Sequence, residues 1–109
     1  MTYSRYICLL AALFLGGFAR AAEADGRAIY NKWCSACHDS GFTGALALRA
    51  KYKGMKPAVL TERADLAPAV VKLFVRKGGS AMPFFRKTEI SDAELGDLAS
   101  YLSAGRGVK

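Results

Sequence analysis

A chain of 109 residues with a formal net charge of +7, three cysteines and one histidine has room for one domain. A domain of that size buries a marginal share of its surface unaided. The basic excess comes without any nucleic-acid recognition motif, which sets that class of function aside.

The first residues read as an export signal. Arg5 precedes an apolar run from Ile7 to Phe18, and Ala19-Arg20-Ala21 makes a small-x-small cleavage site, with Ala22-Glu23-Ala24 as a second candidate. The run is shorter than the roughly 18 residues of a membrane-spanning helix. The expectation is therefore a signal peptide over residues 1–21, removed on export to the periplasm. One domain over residues 22–109 would remain, with no stable membrane insertion. Cys8 would leave with the leader, and Cys34 and Cys37 would be the cysteines retained.

The domain reads as all-α. Asp25 is a candidate N-cap for a first helix that carries Tyr30 and Trp33 on apolar faces and runs into Cys34-Ser35-Ala36-Cys37-His38. A turn-rich stretch follows from Asp39 to Gly44. Helix formers fill Ala45 to Lys53 and close at Gly54, and Pro57 to Glu62 suits a short helical turn. Pro68 fits a first helical position, with Val70, Val71, Phe74 and Val75 as an apolar face. Lys72, Arg76 and Lys77 lie elsewhere on that helix or near its end, and Gly78 or Gly79 stops it. Ser91-Asp92-Ala93-Glu94 is a capping box for a last helix carrying Leu95, Leu98 and Leu102, ending at Gly105.

Cys34-Ser35-Ala36-Cys37-His38 is a CxxCH sequence, the attachment signal for haem c. Two thiols three residues apart can form thioethers to the two vinyl groups of one porphyrin, and His38 is then delivered to the iron. A thioredoxin-like CxxC needs a βαβ framework, for which no convincing strand run exists near the motif. A structural zinc site needs four ligands, more than Cys34, Cys37 and His38 supply. A disulfide between the two cysteines would leave His38 unused.

A second axial ligand is sought among the methionines. Met82 lies in Gly78-Gly79-Ser80-Ala81-Met82-Pro83-Phe84-Phe85, between two helices. The glycines let the backbone wrap closely, Pro83 stiffens the segment, and Phe84 and Phe85 can keep water from the sulfur. His/Met ligation is a recurrent way of closing such a haem. Met55, in a basic segment, is expected to be core filler.

With these motifs together, the chain resembles the class I c-type cytochromes. Gly26, Tyr30, Cys34, Cys37 and His38 keep that family's spacing, and Leu98 and Tyr101 match the positions where the last helix crosses the first. Ala81-Met82-Pro83 matches the methionine-ligand loop. The resemblance implies four to five helices around one covalently bound haem c, with His38 and Met82 on the iron and single-electron transfer as the function. The family usually has a proline after the CxxCH histidine whose carbonyl accepts the ring N–H. This chain has Gly41-Phe42-Thr43-Gly44-Ala45 instead, and a carbonyl near Gly44 or Ala45 is expected to take its place.

A narrower resemblance is to the cytochrome subunits of flavin-dependent alkylphenol dehydrogenases of the p-cresol methylhydroxylase kind. It implies a flavoprotein dehydrogenase partner that holds the catalytic site. Two basic groups, Arg49, Lys51, Lys53, Lys56 and Lys72, Arg76, Lys77, Arg86, Lys87, are expected to steer an acidic redox partner. The rival reading is an open-site haem protein, a peroxidase-like enzyme or gas sensor. It lacks a second histidine for acid–base work.

Overall fold

In a computed structural model of the chain, residues 25–104 are described. The expected signal peptide and the helix stop at Gly105 lie outside them. The described residues form five helices: α1 (25–33), α2 (Ser35–His38), α3 (Thr43–Tyr52), α4 (Pro68–Lys77) and α5 (Asp92–Ser103), with one 3₁₀ turn at Leu60–Glu62. The fold is all-α. The one β-type pairing among the described residues is an isolated bridge between Gly79 and Met82.

α5 is the best specified element. Ser91 Oγ accepts from the Glu94 amide at 3.1 Å, and Glu94 Oε2 accepts from the Ser91 amide at 2.8 Å. Such a cap is worth about 1 kcal/mol. Leu95, Leu98 and Leu102 fall on one stripe and are buried, together with Ala99 and Tyr101. α4 packs against this helix. Pro68 opens α4 at its first turn, and Gly78 closes it with a φ of 67° that a residue with a Cβ adopts only under strain.

The expected apolar face of α4 is half right. Val71 and Val75 are buried in the core, whereas Val70 and Phe74 are more than a third exposed. Each precedes its buried neighbour by about 100° around the helix, so the stripe facing α5 takes the i, i+4 pair Val71 and Val75.

α1 closes the core from the other side. Tyr30 and Ile29 are buried with Val71, Val75, Ile90 and the α5 residues. Gly26 lets α1 touch α5, because a Cβ there would lie 2.5 Å from the Cβ of Tyr101 and would also strike the Asp97 carbonyl. The Tyr30 and Tyr101 rings stack tilted above this crossing, 6.1 Å apart.

Three further expectations are corrected. Met55 is 80% exposed rather than core filler. Lys53 and Gly54 both take left-handed φ after α3, at 51° and 79°, and the turn carries Met55 away from the core. α3 begins at Thr43, inside the stretch read as turns, because its N-cap is Phe42, which makes no side-chain cap. The expected turn at Pro57–Glu62 shrinks to Leu60–Glu62.

Candidate functional site

The chain passes from α1 through a turn at Cys34 into the short helix α2. The amides of Cys37 and His38 both donate to the Cys34 carbonyl, at 3.1 and 3.0 Å. That winds Cys34, Cys37 and His38 into a single turn. No disulfide joins the cysteines. Cys34 is partly buried against the core, and burial pushes its thiol up to about 11, with Cys37 adding to the shift. Cys37 is exposed. Among the described residues, no group of three or more histidine, cysteine, aspartate or glutamate side chains could hold a metal ion. The zinc reading of these cysteines therefore has no further ligands to draw on.

His38 is partly buried. Burial lowers its pKa, and the nearby Asp39 charge opposes the shift more weakly. Burial thus favours the neutral imidazole, the form that ligates metal. Its Nδ1 is buried and has no hydrogen-bond partner among the described residues. The carbonyl expected from Gly44 or Ala45 does not reach it. Both residues lie in the first turn of α3, where carbonyls are committed to amides four residues on.

Gly44 does something else. A Cβ on it would fall 2.6 Å from the Cys37 carbonyl oxygen, so its bare backbone lets α3 lie directly on the cysteine turn. The segment after His38 is tied down by Tyr30, whose hydroxyl donates to Asp39 Oδ1 at 2.9 Å. Burial first, and then this bond, hold the phenol well above its usual range, so it stays a donor.

Met82 lies at the end of a small closed loop. The amides and carbonyls of Gly79 and Met82 pair with each other at 3.1 and 2.9 Å. A Cβ on Gly78 would fall 2.6 Å from the Met82 carbonyl. The Met82 side chain is partly buried and packs against the same core cluster as Trp33, Cys34 and Phe85. Phe85 meets the Trp33 ring edge-on at 5.8 Å. Phe84, expected to shield the sulfur, is 58% exposed and turned outward.

The sequence reading missed a buried cation. Arg63 is 6% exposed, and its fork donates through Nε and Nη2 to Asp65, both at 2.7 Å, and through Nη1 to Tyr52 at 3.2 Å. Lys56 joins Asp65 at 2.7 Å. No local motif marks Arg63. Its burial comes from packing between the 3₁₀ turn and the end of α3. The same pairing logic changes the basic groups: Lys56 is bonded to Asp65, and Arg76 and Lys87 are both bonded to Asp92.

A CxxCH turn and a methionine loop, both packed on one helical core, are an arrangement with relatives. The family profile of cytochrome c oxidase, cbb3-type, subunit III matches residues 21–102.

The chain belongs to the c-type cytochromes.

It is 35% identical over 103 residues to cytochrome c6 of Synechocystis sp., an alignment covering 88% of this chain and 82% of that one. It is also 35% identical over 101 residues to dihydro-heme d1 dehydrogenase of Pseudomonas aeruginosa, covering 90% of this chain and 18% of that protein. No solved structure matches the chain at comparable significance. The family is one of electron-transfer proteins, and haem c is its cofactor.

The residues present fit that group. Two unpaired thiols and a neutral imidazole share one turn. Large apolar side chains at Phe42, Leu46, Val70, Leu73 and Phe74 remain half exposed, offering surface to a flat apolar cofactor.

Proposed function

We propose that the chain is an exported, periplasmic monohaem cytochrome that carries single electrons. Cys34 and Cys37 would hold the haem through two thioethers, with His38 and Met82 as its axial ligands. The observation that carries this reading is the convergence on one core of the CxxCH turn and the Met82 loop, with Cys34 and Met82 packed against the same buried cluster. When bound, the haem supplies one iron that takes an electron from a reduced partner, passing from ferric to ferrous, and gives it up to an oxidised one.

The protein's own residues set the conditions for that exchange. The lowered pKa of His38 keeps the imidazole lone pair free. A thioether ligand from Met82 would favour the ferrous state and raise the potential relative to two histidines. Two protein ligands would leave no coordination position for oxygen or peroxide, and the single histidine of the chain leaves none for acid–base catalysis. The chain is accordingly a carrier rather than an enzyme. The rigid Gly44 contact and the Tyr30–Asp39 bond limit movement of the cysteine turn during the redox change.

The electron donor is a dehydrogenase, on this reading a flavoprotein subunit or partner that oxidises an organic substrate such as an alkylphenol. The match to part of a dehydrogenase named for another substrate supports service to a dehydrogenase, and not that substrate. Residues 1–21 act as the cleaved signal peptide, and 22–109 as the cytochrome domain. No described helix is long and apolar enough to cross a membrane.

Intact-mass measurement of the exported protein after acid denaturation tests the assignment. Retention of one haem mass on a chain starting after Ala21 is expected, and its loss in the Cys34→Ala, Cys37→Ala double variant. A haem that dissociates on denaturation of the unaltered protein would contradict covalent attachment.

A further inference from the structure

We propose that Arg76 is the positioning residue for the Met82 segment, latching the exit of that loop to α4 and to the start of α5. The proposal rests on the reading of Met82 as an axial ligand.

The loop is fastened at two points. At its entry, Gly78 caps α4 by donating to the Phe74 carbonyl at 2.7 Å, and Gly79 pairs with Met82. At its exit, both backbone groups of Phe85 are held by consecutive residues of α4. The Phe85 amide donates to the Val75 carbonyl at 2.8 Å, and its carbonyl accepts from Arg76 Nη1 at 3.2 Å.

The other arm of the same guanidinium, Nη2, donates to Asp92 Oδ1 at 2.8 Å, and Lys87 meets Asp92 Oδ2 at 2.9 Å. Asp92 is the first residue of α5, directly after the capping-box serine. One side chain therefore joins the last turn of α4, the residue three beyond Met82, and the first turn of the helix that forms most of the core. The Arg76 side chain is 22% exposed, and its bond to Phe85 is partly buried, whereas Asp92 is 66% exposed and that arm meets solvent.

Only a fork of donors serves this geometry. Lysine would offer a single nitrogen for a carbonyl and a carboxylate that lie on different sides of the guanidinium. Arg76 was expected to be one of the docking cations along α4. Its two arms are instead spent inside the molecule.

A thioether is a weak ligand, so its hold on iron depends on how rarely the loop swings away. An added ligand that binds only when Met82 has left shows an apparent affinity reduced by the fraction of molecules in that open state. Removing the latch should raise the open fraction. Hydrogen bonds involving a charged group contribute enough for the change to reach about tenfold or more.

The test is titration of the ferric holoprotein with imidazole, followed by loss of the far-red methionine-to-iron band. Arg76→Gln and Arg76→Lys are compared with Lys72→Gln, a cation on the same helix without an ion pair among the described residues. The expected result is an apparent imidazole affinity raised about tenfold in Arg76→Gln, raised to a lesser degree in Arg76→Lys, and unchanged in Lys72→Gln.

Wild-type affinity in both Arg76 variants overturns the latch. An equal rise in all three variants also overturns it, since general loss of charge would then be the cause. Met82→Ala is measured alongside. If it leaves the far-red band in place, the ligand reading fails and takes the latch with it. If it removes the band while Arg76→Gln binds imidazole as the unaltered protein does, only the latch fails.

Discussion

Gly26 of α1 lies against Tyr101 of α5 so closely that a single added carbon would come within 2.5 Å of the tyrosine Cβ. The obstacle on the other side is the Asp97 carbonyl, backbone that cannot rotate away. Gly26→Ala should therefore push the two helices apart and destabilise the holoprotein by about 1–3 kcal/mol. Chemical denaturation followed by circular dichroism reads this directly. An unchanged midpoint would mean that the crossing is looser than it stands here.

Tyr30, one turn further along, joins the same crossing to the cysteine turn. Its ring packs over Tyr101 and its hydroxyl holds Asp39, the residue after His38. Tyr30→Phe keeps the ring and removes the hydroxyl, at an expected cost of about 1 kcal/mol. The measurement is the denaturation midpoint of the variant beside that of Asp39→Ala, which removes the acceptor. Coupled rather than additive losses in the double variant identify the bond as the source.

Acid should act through two surface carboxylates. Asp65 is held well below the usual carboxylate range by Arg63 and then Lys56, and Asp92 is lowered by Lys87 and then Arg76. A carboxylate with a depressed folded pKa stabilises the fold fully above its unfolded value of about 3.9. It loses that contribution as pH falls through the folded value. Thermal midpoints should be nearly level between about pH 7 and 5 and decline below about 4. The decline should be shallower in the Asp65→Asn, Asp92→Asn double variant. Both groups are exposed, so added salt should reduce the difference. An equally steep decline in the double variant would assign the acid sensitivity elsewhere.

Much of this architecture was legible in the sequence because its signals are local. Pro68 and Gly78 bracket α4, the Ser91–Glu94 box opens α5, and the leucine stripe of α5 needs only its spacing. The cysteine turn was legible from five consecutive residues. What escaped depends on contacts between distant segments. Arg63 becomes buried because Tyr52 and Asp65 converge on it, and Arg76 is drawn from solvent by Phe85 and Asp92. Val70 and Phe74 stay exposed because Val71 and Val75 are the α4 residues that join the core with α5. The proline usual after the CxxCH histidine is absent, and the carbonyls of Gly44 and Ala45 do not stand in for it. α3 starts early enough to occupy the Gly44 and Ala45 carbonyls, and nothing in Phe42 announces that start.

The charges that remain available for steering are fewer than the basic composition implies. Lys72 and Lys77 are exposed on α4 with no ion pair among the described residues. Oxidation of the ferrous protein by an anionic complex such as ferricyanide should slow several-fold at low salt in the Lys72→Glu, Lys77→Glu double variant. Oxidation by a cationic cobalt complex should accelerate, and the rates should converge with the unaltered protein at high salt. Stopped-flow rates across a salt series would show this. Indifference of both reagents to the reversal would remove these lysines from the path of approach.

If His38 and Met82 both bind the iron, the visible spectra of the holoprotein will show it. The oxidised and reduced holoprotein should give a low-spin c-type spectrum with the weak far-red methionine band, unmoved by carbon monoxide. Met82→Ala should erase the band and let carbon monoxide bind the reduced form. A high-spin ferric spectrum, or prompt binding of carbon monoxide by the unaltered protein, would contradict the account and favour an open iron site.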